Sequence, residues 1–199
     1  TGGNHTWENP DVIKIRQKDE PESGRVLRPA NYPPANPGRG YALVDLEEGV
    51  KAAVINLQGR TYLYQIDCPF RIADDILRRI ERQASVVIVD FHAEATAEKM
   101  ALGWYLDGRV SAVIGTHTHV PTADEKILAG GTAYITDVGM TGPFDSVIGM
   151  KKETAIKRFM RAVPMRFEPA SGEVRLCGVI VRISKETMKA VTIERLFLE

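Results

Sequence analysis

The 199-residue chain has only two cysteines, Cys68 and Cys177, and only four histidines. Two thiols so far apart are no disulfide framework, so a reducing cytoplasm is the expected setting. No apolar run reaches about 18 residues, so no helix is expected to cross a bilayer. No positively charged leader with an apolar stretch stands at the front, although a truncated start would empty that absence of meaning. Neither charge is in excess: Lys+Arg and Asp+Glu both total 26. That balance argues against a general nucleic-acid or membrane surface and leaves room for a local phosphate pocket. Internal repeats, low-complexity tracts and clear linkers are also missing. The apolar share of 44% and charged share of 26% are those of a globular protein. The length suits one domain over residues 1–199.

What is present alternates. Residues 9–19 read as a helix, with Asn9 as N-cap, Pro10 at the first position and Asp11 near the positive end of the dipole. Residues 28–40 carry four prolines and two glycines and read as a surface crossing. Strands are expected near 41–46 and 50–57, turning at Glu48-Gly49. Helical spacing follows over 69–83. Residues 86–91 are nearly continuous apolar, the pattern of a strand buried on both faces. A helix over 94–106 follows, then buried strands near 110–115 and 132–136. A short helix over 151–160 and an antiparallel pair over 173–183 and 188–197 complete the chain. This order predicts an α/β layered fold with a sheet buried between helices. In such folds polar chemistry gathers beyond the carboxyl ends of the strands.

His5, His92, His117 and His119 all follow a turn or the end of a buried strand, and none lies on a periodic helix face. A lone histidine there is usually structural; four in such places point to a shared site. In "THTH" (116–119), side chains two apart share a face if the segment is extended. Their Cα atoms are then roughly 6.5–7 Å apart, a spacing that suits one metal or a pair of metals about 3.5–4 Å apart. Imidazole suits Zn, Fe and related ions. The short pattern alone also fits amidohydrolases, but no lysine or terminal aspartate pattern of that class is evident. Asn4 offers a neutral amide oxygen, unusual in a structural zinc site and sensible where carboxylates already supply charge. His5 beside it would be a proton donor one residue from the metal. The rival view of "GGNH" (2–5) is a plain tight turn.

Among nearby carboxylates, Glu94 and Asp124 read as helix-start or loop hydrogen-bonding groups. Asp90 shares a face with His92 and can orient an imidazole. Asp137 reads as structural rather than as a ligand. The loop 138–149 either turns backbone amides outside regular structure toward an anion or is a well-ordered surface turn. Arg28 reads as structural, with phosphate contact as its alternative; Trp7 either stacks on a base or covers the adjoining helix start. No substrate-binding residue is assigned.

"GNHTW" (3–7), "DFHAEATAEKMA" (90–101), "GRVSAVIGTHTHVPTAD" (108–124) and "GGTAYITDVGMTGPFDSVIG" (130–149) together resemble the bacterial YmdB-like metallophosphoesterases, which act on cyclic nucleotides. The resemblance runs from residue 1 to the end. It implies a calcineurin-like four-layer αββα sandwich, missing its first strands, with a dinuclear metal centre. It implies that Asn4, His92 and His117 ligate one ion and His119 the other, with Fe, Mn or Zn as candidates. His5 would protonate the leaving oxygen. Family members begin with a Gly-Asp strand and a second strand ending in an Asn-x-Glu-Asn type motif, which supply an Asp ligand and a bridging carboxylate. This sequence resembles roughly the last three quarters of a member.

The activity so implied is hydrolysis of 2′,3′-cyclic nucleotides to 3′-phosphates by a metal-bridged hydroxide, with other phosphodiesters open. A homo-oligomer is expected, with no membrane partner. The competing expectation is a catalytically impaired fragment or assembly module, since neutral imidazole and amide hold hard cations poorly without carboxylates.

Overall fold

A computed structural model describes residues 1–8 and 26–199. The helix expected over 9–19 lies outside the described residues. The other expected elements are present with shifted ends. They are β1 (Tyr41–Asp45), β2 (Lys51–Gln58), α1 (Pro69–Ile80), β3 (Val86–His92), α2 (Thr96–Leu106), β4 (Ala112–Thr116), β6 (Ala133–Ile135), α3 (Lys152–Arg161), β8 (Val174–Ile183) and β9 (Ala190–Leu198). Two short strands were not expected: β5 (Lys126–Ile127) and β7 (Thr141–Pro143). The first sheet runs β1-β2-β3-β4-β6-β5, the second β7-β8-β9. In the first, β2, β3, β4 and β6 pair in parallel, and the edge strands β1 and β5 are antiparallel.

The two faces of the first sheet are dressed differently. Ala53, Ile55 and Leu57 of β2 and Val87, Val89 and Phe91 of β3 form one buried cluster with Ala73, Ile76 and Ile80 of α1 and Leu102 and Leu106 of α2. This explains the unbroken apolar run at 86–91: alternate residues meet helices, and the others meet a second layer. That second layer is the small sheet. Ala112 and Ala133 pack with Ala190 of β9, and Ile88, Ile114, Val181 and Ile193 lie against them. Helix–sheet–sheet layering follows, an α/β architecture as expected. After α3, only Ala155 of which is buried, the chain enters β8.

The inter-sheet face changes character along its strands. In register, Ala52 lies beside Val86 and Val54 beside Ile88; then Asn56 lies beside Asp90 and Gln58 beside His92. Thr116 of β4 lies beside His92 in turn. Apolar residues at the strand starts fill the sandwich, and polar residues at the carboxyl ends line its mouth.

The proline-rich segment crosses the surface as expected over Pro33, Pro34, Ala35 and Arg39, which are exposed, but its start is anchored inside: Arg28, Pro29 and Asn31 are buried. Asn31 is the reason: its amide donates to the carbonyls of Gln58 and Asp67, and its carbonyl accepts from the Gln58 amide. One side chain thus satisfies backbone groups that burial would otherwise leave unpaired.

Gly115 lies where β4 passes closest to the β6 exit. A Cβ placed there would overlap the Thr136 carbonyl and lie 3.2 Å from the Ile135 carbonyl. Both are backbone atoms and cannot swing away. Gly115→Ala is expected to cost about 3 kcal/mol and lower Tm by roughly 10 °C. Gly142→Ala, where a Cβ meets nothing within 4 Å, serves as the control in a thermal melt.

Candidate metal centre

The mouth of the sandwich is a cleft of about 220 Å³ lined by Gly2, Gly3, Asp90, His92, Thr116, His117, His119, Gly139 and Met140. His92 closes β3, and His117 and His119 follow β4. Asn4 and His5 arrive on a single 3-10 turn, Gly3–Trp7. Gly3 makes the approach possible: its φ is +51°, and a Cβ would overlap the His92 ring. Gly3, one of the glycine pair read from sequence, therefore has a steric role against His92.

Asn4 Oδ1 accepts a hydrogen bond from His92 Nε2 at 2.7 Å. The His92 and His117 ring centroids are 4.6 Å apart, and those of His5 and His92 5.9 Å. One nitrogen from each of His5, His92 and His117 falls within 4.8 Å of the others. His119 lines the same cleft but stands outside that trio; its Nδ1 donates to the Ile148 carbonyl at 2.9 Å. His5 is half exposed, with Nδ1 2.7 Å from Glu8 Oε1.

Burial holds the inner imidazoles neutral. The His92 pKa is lowered to about 3, first by desolvation and then by the neighbouring His117 and His5. His117 is lowered mainly by desolvation, against the pull of Glu94. A neutral imidazole offers a lone pair, which a metal needs and an imidazolium cannot give. His117 supplies a second sign: its Nε2 lies 3.1 Å from Glu94 Oε2, while its Nδ1 is buried without a hydrogen-bond partner. A carboxylate on one ring nitrogen with the other left open is the usual arrangement around a metal-binding histidine. The donor set therefore fits a transition-type ion.

The remaining carboxylates sort differently from one another. Asp90 is buried, and burial pushes its carboxyl above the ordinary value. It accepts from the Asn56 amide and from Thr116 Oγ1, whose oxygen lies 3.4 Å from His92 Nδ1. The Thr116 proton goes to Asp90 and the His92 Nε2 proton to Asn4, so Asp90 holds Thr116 behind the imidazole without a hydrogen-bonded relay to it. Asp124 accepts from Thr122, Thr136 Oγ1 and the Thr136 amide, in keeping with its loop role. Glu94, read as a helix-start group, instead faces His117. Thr116 was passed over; its place beside two histidines in "GTHTH" was the available signal.

The surroundings favour the structural alternative for both the loop 138–149 and Trp7. The amides of Val138, Gly139, Met140, Phe144, Ser146, Val147 and Gly149 donate within the protein, and 141–143 is strand β7. The Trp7 indole donates to the Pro37 carbonyl and its ring lies 4.7 Å from that of Tyr32. Arg28 donates to the Gly38 and Pro29 carbonyls, away from the cleft and in keeping with its structural reading.

The two-sheet α/β sandwich is consistent with a metallophosphoesterase-type fold. A Staphylococcus aureus chain assigned as a 5′-nucleotidase shares the fold at a TM-score of 0.58 and 15% identity, over 98% of this chain and 37% of that one. The chain belongs to the YmdB-like family, whose model matches residues 1–196. It is 52% identical to the 2′,3′-cyclic-nucleotide 2′-phosphodiesterase of Bacillus subtilis, over 100% of this chain and 73% of that protein. A Thermus thermophilus protein of unassigned function superposes with TM-score 0.90 at 42% identity, over 98% of this chain and 73% of its own. A Mycoplasma pneumoniae phosphatase does so with TM-score 0.88 at 35% identity, over 98% and 70%.

The His92 shift carries a pH signature for the metal-free chain. Between pH 6.5 and about 3, the unfolded state binds a proton that the folded state refuses. Stability therefore falls as pH drops through that window, by up to about 1.4 kcal/mol per pH unit. Urea midpoints at pH 6.5, 5.5 and 4.5 are expected to fall more steeply for wild type than for His92→Gln. Equal slopes would contradict a buried neutral imidazole.

Proposed function

We propose that this chain is a metal-dependent phosphoric diester hydrolase that opens 2′,3′-cyclic nucleotides to 3′-phosphates and acts on further phosphodiesters. The observation that carries this is the convergence of neutral, desolvated imidazoles with an open, buried Nδ1 on His117, in a chain 52% identical to a 2′,3′-cyclic-nucleotide 2′-phosphodiesterase. Asn4, His92 and His117 would hold one ion and His119 a second, with Fe, Mn or Zn as candidates. When bound, such ions neutralise phosphate charge and lower the pKa of a water.

The chain's own residues do the rest. Glu94 fixes the His117 ring with Nε2 outward, leaving Nδ1 for the ion. Asp90 holds Thr116 in place behind the His92 ring. His5 is more exposed than the inner imidazoles and stands beside them, where a proton donor to a departing ribose oxygen belongs. Water adds to phosphorus, the P–O2′ bond breaks, and the His5 proton goes to O2′. Holding the phosphate on cations needs no basic surface, in agreement with a net charge of zero.

The chain acts as a single domain in the cytoplasm. Its cysteines are both free, and among the described residues no helix is long and apolar enough to cross a membrane. Exposed Ile156, Phe159, Met160 and Val163 recur at helical spacing along and just beyond α3, and support a homo-oligomer.

His92→Ala and His119→Ala are expected to lose bound metal by elemental analysis, and to lose hydrolysis of both 2′,3′-cyclic AMP and bis-p-nitrophenyl phosphate. His5→Ala is expected to keep its metal. It should slow the cyclic nucleotide by about 10²–10⁴-fold and affect the p-nitrophenyl ester, whose leaving group needs no proton, far less. Unchanged metal content and hydrolysis in His92→Ala and His119→Ala would sink the proposal.

A further inference from the structure

Two residues of the histidine pair sit in a backbone region that side chains rarely adopt: φ is +101° at His117 and +68° at His119. Such a residue is strained and persists only where the surroundings over-determine it. Thr118 lies between them and is held twice. Its amide donates to Asp137 Oδ2 at 3.0 Å, and its hydroxyl donates to the same oxygen at 2.7 Å.

Asp137 is itself clamped. Lys99 Nζ, from α2, donates to that Oδ2 at 2.8 Å, and the Gly139 amide donates to Oδ1 at 2.9 Å. Both side chains of the Lys99–Asp137 pair are 1% exposed. A buried ion pair is weak evidence for stability, because desolvation offsets most of the attraction. Here three donors from two segments converge on one carboxylate oxygen, and the segment they fix carries His117 and His119.

We infer that Asp137, charged and anchored by Lys99, is a positioning residue that sets the His117–Thr118–His119 backbone and thereby the aim of both imidazoles at the metals. This rests on the metal reading above. Asp137 needs no contact with substrate or ion to do it, which agrees with its full set of partners inside the protein.

The test uses Thr118, where a conservative change removes one bond without opening the buried pair. Thr118→Val loses the hydroxyl bond to Asp137, and Thr118→Ser keeps it. Titration calorimetry with Mn²⁺ on the full-length protein is expected to give a Kd roughly tenfold weaker for Thr118→Val and unchanged for Thr118→Ser. Leu106→Ala, at the far end of α2, should lower Tm without changing that Kd. A Thr118→Val Kd within twofold of wild type overturns the inference, as does an equal weakening in Leu106→Ala.

Imidazole ¹H–¹⁵N spectra of the metal-free protein provide a second readout. Thr118→Val and Asp137→Asn are expected to move the His117 and His119 resonances and leave His5 in place, and unmoved resonances overturn the inference. A wild-type protein that binds no Mn²⁺ but still shows those shifts overturns the metal reading and leaves the positioning role standing.

Discussion

Two imidazoles whose ring centroids lie 4.6 Å apart can share the end of a buried sheet only if they stay uncharged. A proton on each would place like charges in a region of low dielectric, where repulsion and desolvation add. Burial around His92 and His117 serves that condition and outweighs the pull of Glu94. The parallel strands β2, β3 and β4 are apolar for most of their length, which keeps water from the inner ends. They turn polar only at the last two positions on the inter-sheet face. The site is therefore a product of where the apolar pattern stops.

Neutral rings still need to be aimed, and the aiming is done by acids that do not touch the open ring nitrogens. Glu94 holds His117 from the solvent side, Asp90 holds Thr116 behind His92, and Asp137 fixes the backbone between His117 and His119. Asp90 and Asp137 are themselves held by buried partners, Asn56 and Lys99. From the histidine pair the order runs through backbone to carboxylate to cation, with Lys99 at the far end. Rigid supports of this kind cost stability in desolvated charge and return it as precision at the ligand atoms.

Much of this was legible in the residues. The buried strand ending at His92 and the histidines after the next strand are visible because continuous apolar runs have a single physical meaning at that length. Asn4 and His5 were legible because glycines flank them, and Gly3 proves to lie against the His92 ring. The supports were harder to read. Glu94 looks like any acid near a helix start, and only the tertiary fold brings it to His117. The amides of 138–149 could be read as free because β7 is three residues long and has no periodicity of its own; its pairing with β8 is a long-range event. Asn31 was hidden for the same reason, since its partners are backbone groups 27 and 36 residues away.

The same physics separates His5 from the other histidines. His92 is buried beneath a glycine turn and its pKa is lowered to about 3, which leaves it useless as an acid and well suited as a ligand. His5 is on the same turn as Asn4, within reach of the same cluster, yet its side chain is 53% exposed and touches a carboxylate, Glu8. Water and the Glu8 carboxylate lie on one side of it, and the His92 ring lies on the other. Adjacent residues in one short turn thus stand in different surroundings: Asn4 bonds the buried His92, and His5 reaches the rim of the cleft. The proposed mechanism uses that difference, because a neutral buried ring can hold an ion but has no proton to give.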